Sequence, residues 1–389
     1  MSRRGGLAAA GAALSLVVAL AACKPDLDQT LSVVSDPVIL AARSDPPEAA
    51  PTQSVRLTAL YVDRDGAILR APISWAFCTA RNPLANLGSV NPECLEPSGS
   101  WLQPLGSGVV VNGPVPDIAC QQYGPLVPQA QPGQPQGRPV DPDPTGGYYQ
   151  PARLFVPSDG GTLTDISETR LACGAGLASG VNLIAFNRRY HTNVNPEVSS
   201  LGIVHGSAVT THWSIDPGSM VEPPPNSDAG MPEGGSPDAG SMPADTDAGQ
   251  APAGPNVVMA GAHVMLRAAW TACPLVDKCG DGVCGPDEEL GICKSDCQNA
   301  MGCTGAERFV AFDVASQGLL DQRESIDVSW FTTGGSFDAD STGRTSSDTV
   351  ASSDNGWTAP KTPGTVHIWV VLRDDRGGSG WGQYTILVQ

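Results

Sequence analysis

Cationic side chains are scarce in this chain: 22 Lys and Arg stand against 40 Asp and Glu, a formal net charge of −18. Phosphate contacts need clustered Lys and Arg, so the balance excludes nucleic acid as a partner and fits a soluble, self-repelling surface. Histidine is scarcer still, with His191, His205, His212, His263 and His367 scattered along the sequence. A lone strand histidine such as His367 reads as a surface or satisfied side chain rather than a base. No G-x-S-x-G, H-E-x-x-H or G-x-x-x-x-G-K-[ST] stretch occurs, so no cofactor, metal or catalytic residue is implied and the chain reads as a non-enzyme. A Ser-His-Asp set assembled in space stays open, because triad order differs between folds. Long apolar runs are absent with one exception. Behind Arg3 and Arg4, the uncharged stretch from Gly5 to Ala22 has the layout of a secretory signal peptide. An uncleaved membrane helix is the alternative, disfavoured by the many small residues and the short run.

What the chain has in quantity is glycine (45) and proline (35), which points to turn-rich β structure rather than helical bundles. It also has 11 cysteines. Setting Cys23 aside, the rest form an even set, which in an exported protein reads as a disulfide framework. Cys78, Cys94, Cys120 and Cys173 precede a low-complexity segment; Cys273, Cys279, Cys284, Cys293, Cys297 and Cys303 follow it. Each half can close its own bridges, and the pairings stay open. The stretch CGDGVCGPDEELGICKSDC, Cys279 to Cys297, is the densest part. Its spacing lacks the C-x2-C knuckles and nearby histidines of zinc sites, so staples are the preferred reading over zinc. Asp281, Asp287, Glu288, Glu289 and Asp296 leave calcium as an alternative to plain solvated loop charge.

Residues 216–256 carry no Lys or Arg, repeat Asp-Ala-Gly and hold little apolar bulk, so they read as an acidic disordered linker. A proline-rich stretch from about Pro114 to Pro144 reads as a long loop. The two halves of the chain repeat the same order, the second copy starting at Asn195-Pro196 and running past the linker. An X-Pro opens a short apolar segment, an alternating strand follows (Val55, Leu57, Ala59; Val264, Leu266, Ala268), and a further strand carries Trp75 or Trp330. That order resembles the opening strands of an immunoglobulin-like sandwich with a core tryptophan. The expected fold is therefore mainly β: two immunoglobulin-like β-sandwiches, a small disulfide-rich insertion and disordered linkers. The first sandwich spans 37–194. The second spans 195–389 and is interrupted by the linker 216–256 and a cysteine-rich knot 273–303. Around Leu177 to Tyr190 a helix competes with a strand over Val181 to Phe186.

The run Leu20-Ala21-Ala22-Cys23 resembles the lipobox of bacterial lipoproteins. The resemblance implies removal of residues 1–22, acylation of Cys23 by palmitate-type chains, and residues 23–36 as a membrane tether. Lys24, rather than Asp, after the cysteine goes in that family with the outer membrane. The CGDGVC motif and the stretch WTAPKTPGT before DDRGG are similar to myxobacterial lipoproteins with immunoglobulin-like, PKD-type β domains. What this implies is a lipid-anchored cell-envelope protein whose role is binding or structural, with an exported enzyme or enzyme accessory as the competing class. Two residues offer themselves as ligand contacts. Trp369 has the opposite parity to the core set Val366, Ile368, Val370 and Leu372, and Trp381 opens the neighbouring strand. They are candidates for stacking on a glycan or anchoring a protein partner; the preferred reading is that one or both cover the sandwich edge or the contact with the first sandwich. Asp338 to Gly343 begins like a calcium loop but lacks its Glu, and reads as an Asx-rich turn. Asp63 to Gly66 and Asp374 to Gly377 read as hairpin turns.

Overall fold

In the computed structural model, which describes residues 31–82, 90–125, 142–158, 161–174, 180–206, 208–213, 215, 256–276, 278–280, 283–286, 288, 293, 296, 302–313 and 315–389, the apolar runs become strands. The expectations placed on residues 1–30, on Cys23 and Cys297, on linker residues 216–255, on most of the proline-rich loop and on Asp281, Asp287 and Glu289 lie outside the described residues. The first half contains β1 (Val38–Asp45), β2 (Glu48–Ala49), β3 (Ser54–Asp63), β4 (Gly66–Ala67), β5 (Ser74–Cys78), β6 (Leu102–Ser107), β7 (Val110–Pro114), α1 (Ala119–Gln122), β8 (Tyr149–Ser158), β9 (Gly161–Leu171) and α2 (Gly180–Arg189). The second contains β10 (Val198–His205), β11 (Ala208–Trp213), β12 (Val257–Val258), β13 (His263–Trp270), β14 (Arg308–Asp313), β15 (Gly318–Arg323), β16 (Ile326–Thr332), β17 (Ser336–Phe337), β18 (Ser341–Arg344), β19 (Ser352–Thr358), β20 (Gly364–Asp374) and β21 (Ser379–Val388).

The fold is mainly β, as composition requires. One sandwich pairs the sheet β1-β3-β4, with β7 also on β3, against the sheet β2-β9-β8-β5-β6. Its core holds Val55, Leu57, Ala59 and Tyr61 from alternate positions of β3, against Trp75, Phe77 and Leu154. The other sandwich pairs β12-β21-β20-β16-β18 against β11-β10-β13-β19-β17. Val366, Ile368, Val370 and Leu372 of β20 point into that core with Trp330, Leu266 and Trp357. Period-2 alternation places each set on one face of its strand, and both tryptophans at matching positions, Trp75 and Trp330, are buried.

The opposite faces of β3 and β20 are apolar too, and they meet. Leu60 and Val62 of β3, with Leu40 and Ala41 of β1, pack against Trp369 and Val371 of β20. The two sandwiches thus form four stacked sheets with a third apolar layer between them. Strands buried on both faces read as nearly unbroken apolar runs, as "LTALYV" and "VHIWVVL" do.

Within the expected tether 23–36, residues 32–34 are docked on β16: the N–H of Val34 donates to the Thr332 carbonyl and the Thr332 N–H to the Ser32 carbonyl. The stretch near residue 180 is helical, α2, and Phe186 stacks on Tyr190 one turn later. The last strand starts at Ser379. Between the knot and β16 lies an additional hairpin, β14–β15, whose Phe309, Val310 and Ala311 are buried.

Candidate functional site

The bridges described are Cys78–Cys94, Cys120–Cys173, Cys273–Cys303 and Cys279–Cys293, and Cys284 is disulfide-bonded as well. Each of these four pairs closes on its own side of residues 216–256. Cys120–Cys173 closes the longest of these loops, a separation of 53, which in the chain-entropy picture stabilises by about 4 kcal/mol. A framework of this kind forms in an oxidising compartment, which marks the chain as exported; among the described residues no helix is long and apolar enough to cross a membrane. Cys279, Cys293 and Asp296 cluster as a metal set would. The two sulfurs are bonded to each other, so neither offers a thiolate, and Asp296 accepts the Gly280 N–H at 2.5 Å.

The two tryptophans do not form an exposed pair. Trp369 is 0% exposed, packed between the sandwiches, with its indole N–H donating to Gln383 Oε1 at 2.9 Å. Trp381 is half-buried beside it under the Arg43 guanidinium, 5.1 Å from the ring centroid. The parity read from the sequence holds; the face it pointed to is covered by β1 and β3 rather than by solvent.

Beside this apolar contact the seam turns ionic. Asp374, the last residue of β20, and Arg376, in the turn to β21, belong to the stretch that reads from sequence as a hairpin turn. Arg376 is 0% exposed and stands at the centre of the cluster. One of its terminal nitrogens meets Glu307 Oε1 at 3.0 Å and Glu324 Oε1 at 3.4 Å. The other reaches across to Glu48 Oε2 of the first sandwich at 3.4 Å and donates to the His191 carbonyl at 2.8 Å. Glu48 faces Arg170 across the parallel pairing of β2 and β9, with Arg170 Nε 3.4 Å away. Tyr190 donates its hydroxyl to Glu48 Oε1 at 2.5 Å, and the Asn193 N–H donates to Oε2 at 3.1 Å. Asp374 accepts the Arg376 and Gly378 N–H groups at 2.9 and 2.7 Å and the Asn193 amide at 3.2 Å. Asn195 completes the seam, donating to the Ser44 carbonyl and accepting the Ser379 N–H.

Burial sets the protonation here. It pushes the Glu307 carboxyl up to about 7, helped by Asp374 and opposed by Arg376. It pushes Glu324 well above the usual carboxylate range, with Glu307 and Asp374 adding to the shift. Burial pulls the Arg376 guanidinium down, but Tyr190, Glu324, Glu307 and Glu48 outweigh it and keep it charged. A cavity of about 40 Å³ opens onto the same place, lined by Glu48, Arg170, Tyr190, Phe186, Val310 and Phe312. It has room for a water or two.

The knot is attached to this seam. Arg189 Nε donates to the Pro286 carbonyl at 2.9 Å, and the His191 ring lies 2.9 Å from the Gly285 carbonyl and 3.3 Å from Cys284 Sγ. His191 thus touches the knot with its ring and Arg376 with its carbonyl. Close approach of backbone to Arg170 depends on a glycine: a Cβ on Gly147 would lie 2.1 Å from an Arg170 terminal nitrogen. Gly147→Ala is expected to displace that guanidinium and lower stability by about 1–3 kcal/mol, read from the urea midpoint.

No family model and no curated protein matches this chain. Solved structures similar to it over most of its length include dimeric latent PorU from Porphyromonas gingivalis, at 8% identity and TM-score 0.16, covering 89% of this chain and 33% of that one. A chimeric titin Z1Z2 functionalised with an exogenous peptide from decorin matches at 9% identity and TM-score 0.14, covering 90% of this chain and 98% of that one. The chain spans about a third of the PorU chain it matches.

Proposed function

We propose that this is a lipid-anchored protein of the cell envelope, held at the outer membrane through acylated Cys23, with a non-catalytic binding or structural role. The observation that supports this reading is the docking of residues 32–34 on β16, at the edge of the seam. Residues 24–31 span at most roughly 30 Å when fully extended. A lipid on Cys23 would therefore hold both sandwiches close to the bilayer, joined by an apolar layer and a buried ion cluster, as one stiff body rather than two beads on a string. A single acyl chain gives marginal anchoring, so the reading calls for a multiply acylated cysteine. Mass spectrometry of the mature N-terminus tests it: the expected product begins at an acylated Cys23, and Cys23→Ala leaves the membrane fraction. An intact leader with an unmodified Cys23 in the soluble fraction would overturn it.

A further inference from the structure

The ion cluster at the seam holds more carboxyls than guanidiniums. Glu48, Asp374, Glu307 and Glu324 surround Arg376, with Arg170 as the second cation. Glu48 is held by Arg170, Tyr190 and the Asn193 N–H, and Asp374 by two backbone N–H groups and the Asn193 amide. Glu307 and Glu324 share one terminal nitrogen of Arg376 as their cation; Glu307 also accepts backbone N–H bonds from Cys303 and Val194, and Glu324 Oε2 accepts the Glu307 N–H at 3.0 Å. Two carboxyls beside one guanidinium nitrogen in a dry site favour keeping one of them protonated.

We propose that the Glu307–Glu324 pair is a proton-operated latch on the seam, closed when the pair holds a proton and loosened when it loses it. The groups facing the pair come from every element packed there: Asp374 from the end of β20, Arg376 from the turn to β21, Glu48 from β2, Arg170 from β9, Tyr190 and His191 after α2, and Arg323 from β15. Loss of the proton to solvent adds a buried negative charge, and both carboxylates then compete for Arg376. Its other nitrogen is the tie to Glu48 across the seam, so that tie weakens. The apolar layer around Trp369 lies beside the cluster and serves as the hinge. The cavity against Glu48 and Tyr190 gives water a way in.

The sign follows from the raised carboxyls. The closed form binds the proton more tightly than an opened, solvated form, so closure is favoured in acid and lost as pH rises. For Glu307 the window runs from the ordinary carboxyl value of 4.5 to about 7, and Glu324 extends it upward. Within it, one proton changes the closed-to-open ratio by about tenfold per pH unit.

The test is hydrogen exchange on the full chain at several pH values from 5 to 8.5, corrected for intrinsic rates, followed at the seam amides Asn193, Arg376 and Gly378. Protection in the wild type is expected to fall by tenfold or more across that range, while amides of the outer sheets stay constant. Glu324→Gln and Glu307→Gln, tested singly, fix one member of the pair as neutral and should remain protected at pH 8.5. A flat wild-type profile overturns the latch, as does an unchanged slope in both variants. Failure of both to fold, judged by near-ultraviolet circular dichroism, also counts against it, because the closed state must tolerate the neutral form.

Discussion

Arg376→Ala is expected to be the most damaging single change in the chain, lowering stability by about 3–5 kcal/mol. The side chain has no solvent exposure, and its removal leaves Glu307 and Glu324 buried with no cation between them. Their carboxyls would then sit still higher than in the wild type, because burial would act without its main opponent. The damage should therefore ease in acid. In guanidinium chloride titrations the loss is expected to be largest at pH 8 and to shrink towards pH 5, where protonation removes the uncompensated charge. Arg376→Lys should recover only part of it. A guanidinium spreads its donors over Glu307, Glu324, Glu48 and the His191 carbonyl, whereas an ammonium is a single point. Equal loss at every pH would mean that the arginine acts by packing over Phe309, 4.8 Å from its ring, rather than by charge.

The second large effect is expected from Trp369→Ala, a loss of about 3–5 kcal/mol from a fully buried indole. The change opens a void between the sandwiches and leaves Gln383 Oε1 without its donor. Trp381→Ala, at the half-buried rim of the same layer, should cost clearly less. The two are separated by comparing urea midpoints. A fully exposed Trp369, revealed by undiminished stability in the variant, would instead restore the ligand-contact reading and remove the interdomain layer.

Much of this architecture is legible in the sequence, and what is not has a physical reason. Alternation in "VHIWVVL" gives the correct inward set, Val366, Ile368, Val370 and Leu372, and correctly puts Trp369 on the other side. Period alone does not tell whether that other side meets water or a second sheet. A signal was present all the same: Val371 shares the parity of Trp369, and Leu60 and Val62 repeat the pattern on β3. The ion cluster was harder. Asp374 to Gly377 is a hairpin turn, as its residues say, and turns are ordinarily solvated. Arg376 is buried because of Glu48, Tyr190, Glu307 and Glu324, partners scattered across the chain with no spacing that links them. That each side of the linker holds an even number of cysteines, four and six, is legible from counting. Their pairing needed the positions of β13 and β14, which set Cys273 opposite Cys303.

Residues 216–255 join the two sheets of the second sandwich in sequence. Trp213 ends β11 in one sheet of the second sandwich, and Val257 begins β12 in the other. Yet β10, encoded before that excursion, is hydrogen-bonded along its length to β13, encoded after it. A protease cut within the excursion would thus sever the polypeptide without releasing either piece. The fragments would stay interlocked through a shared sheet, separating only in denaturant, and the same site would accept new chain ends in a circularly permuted version.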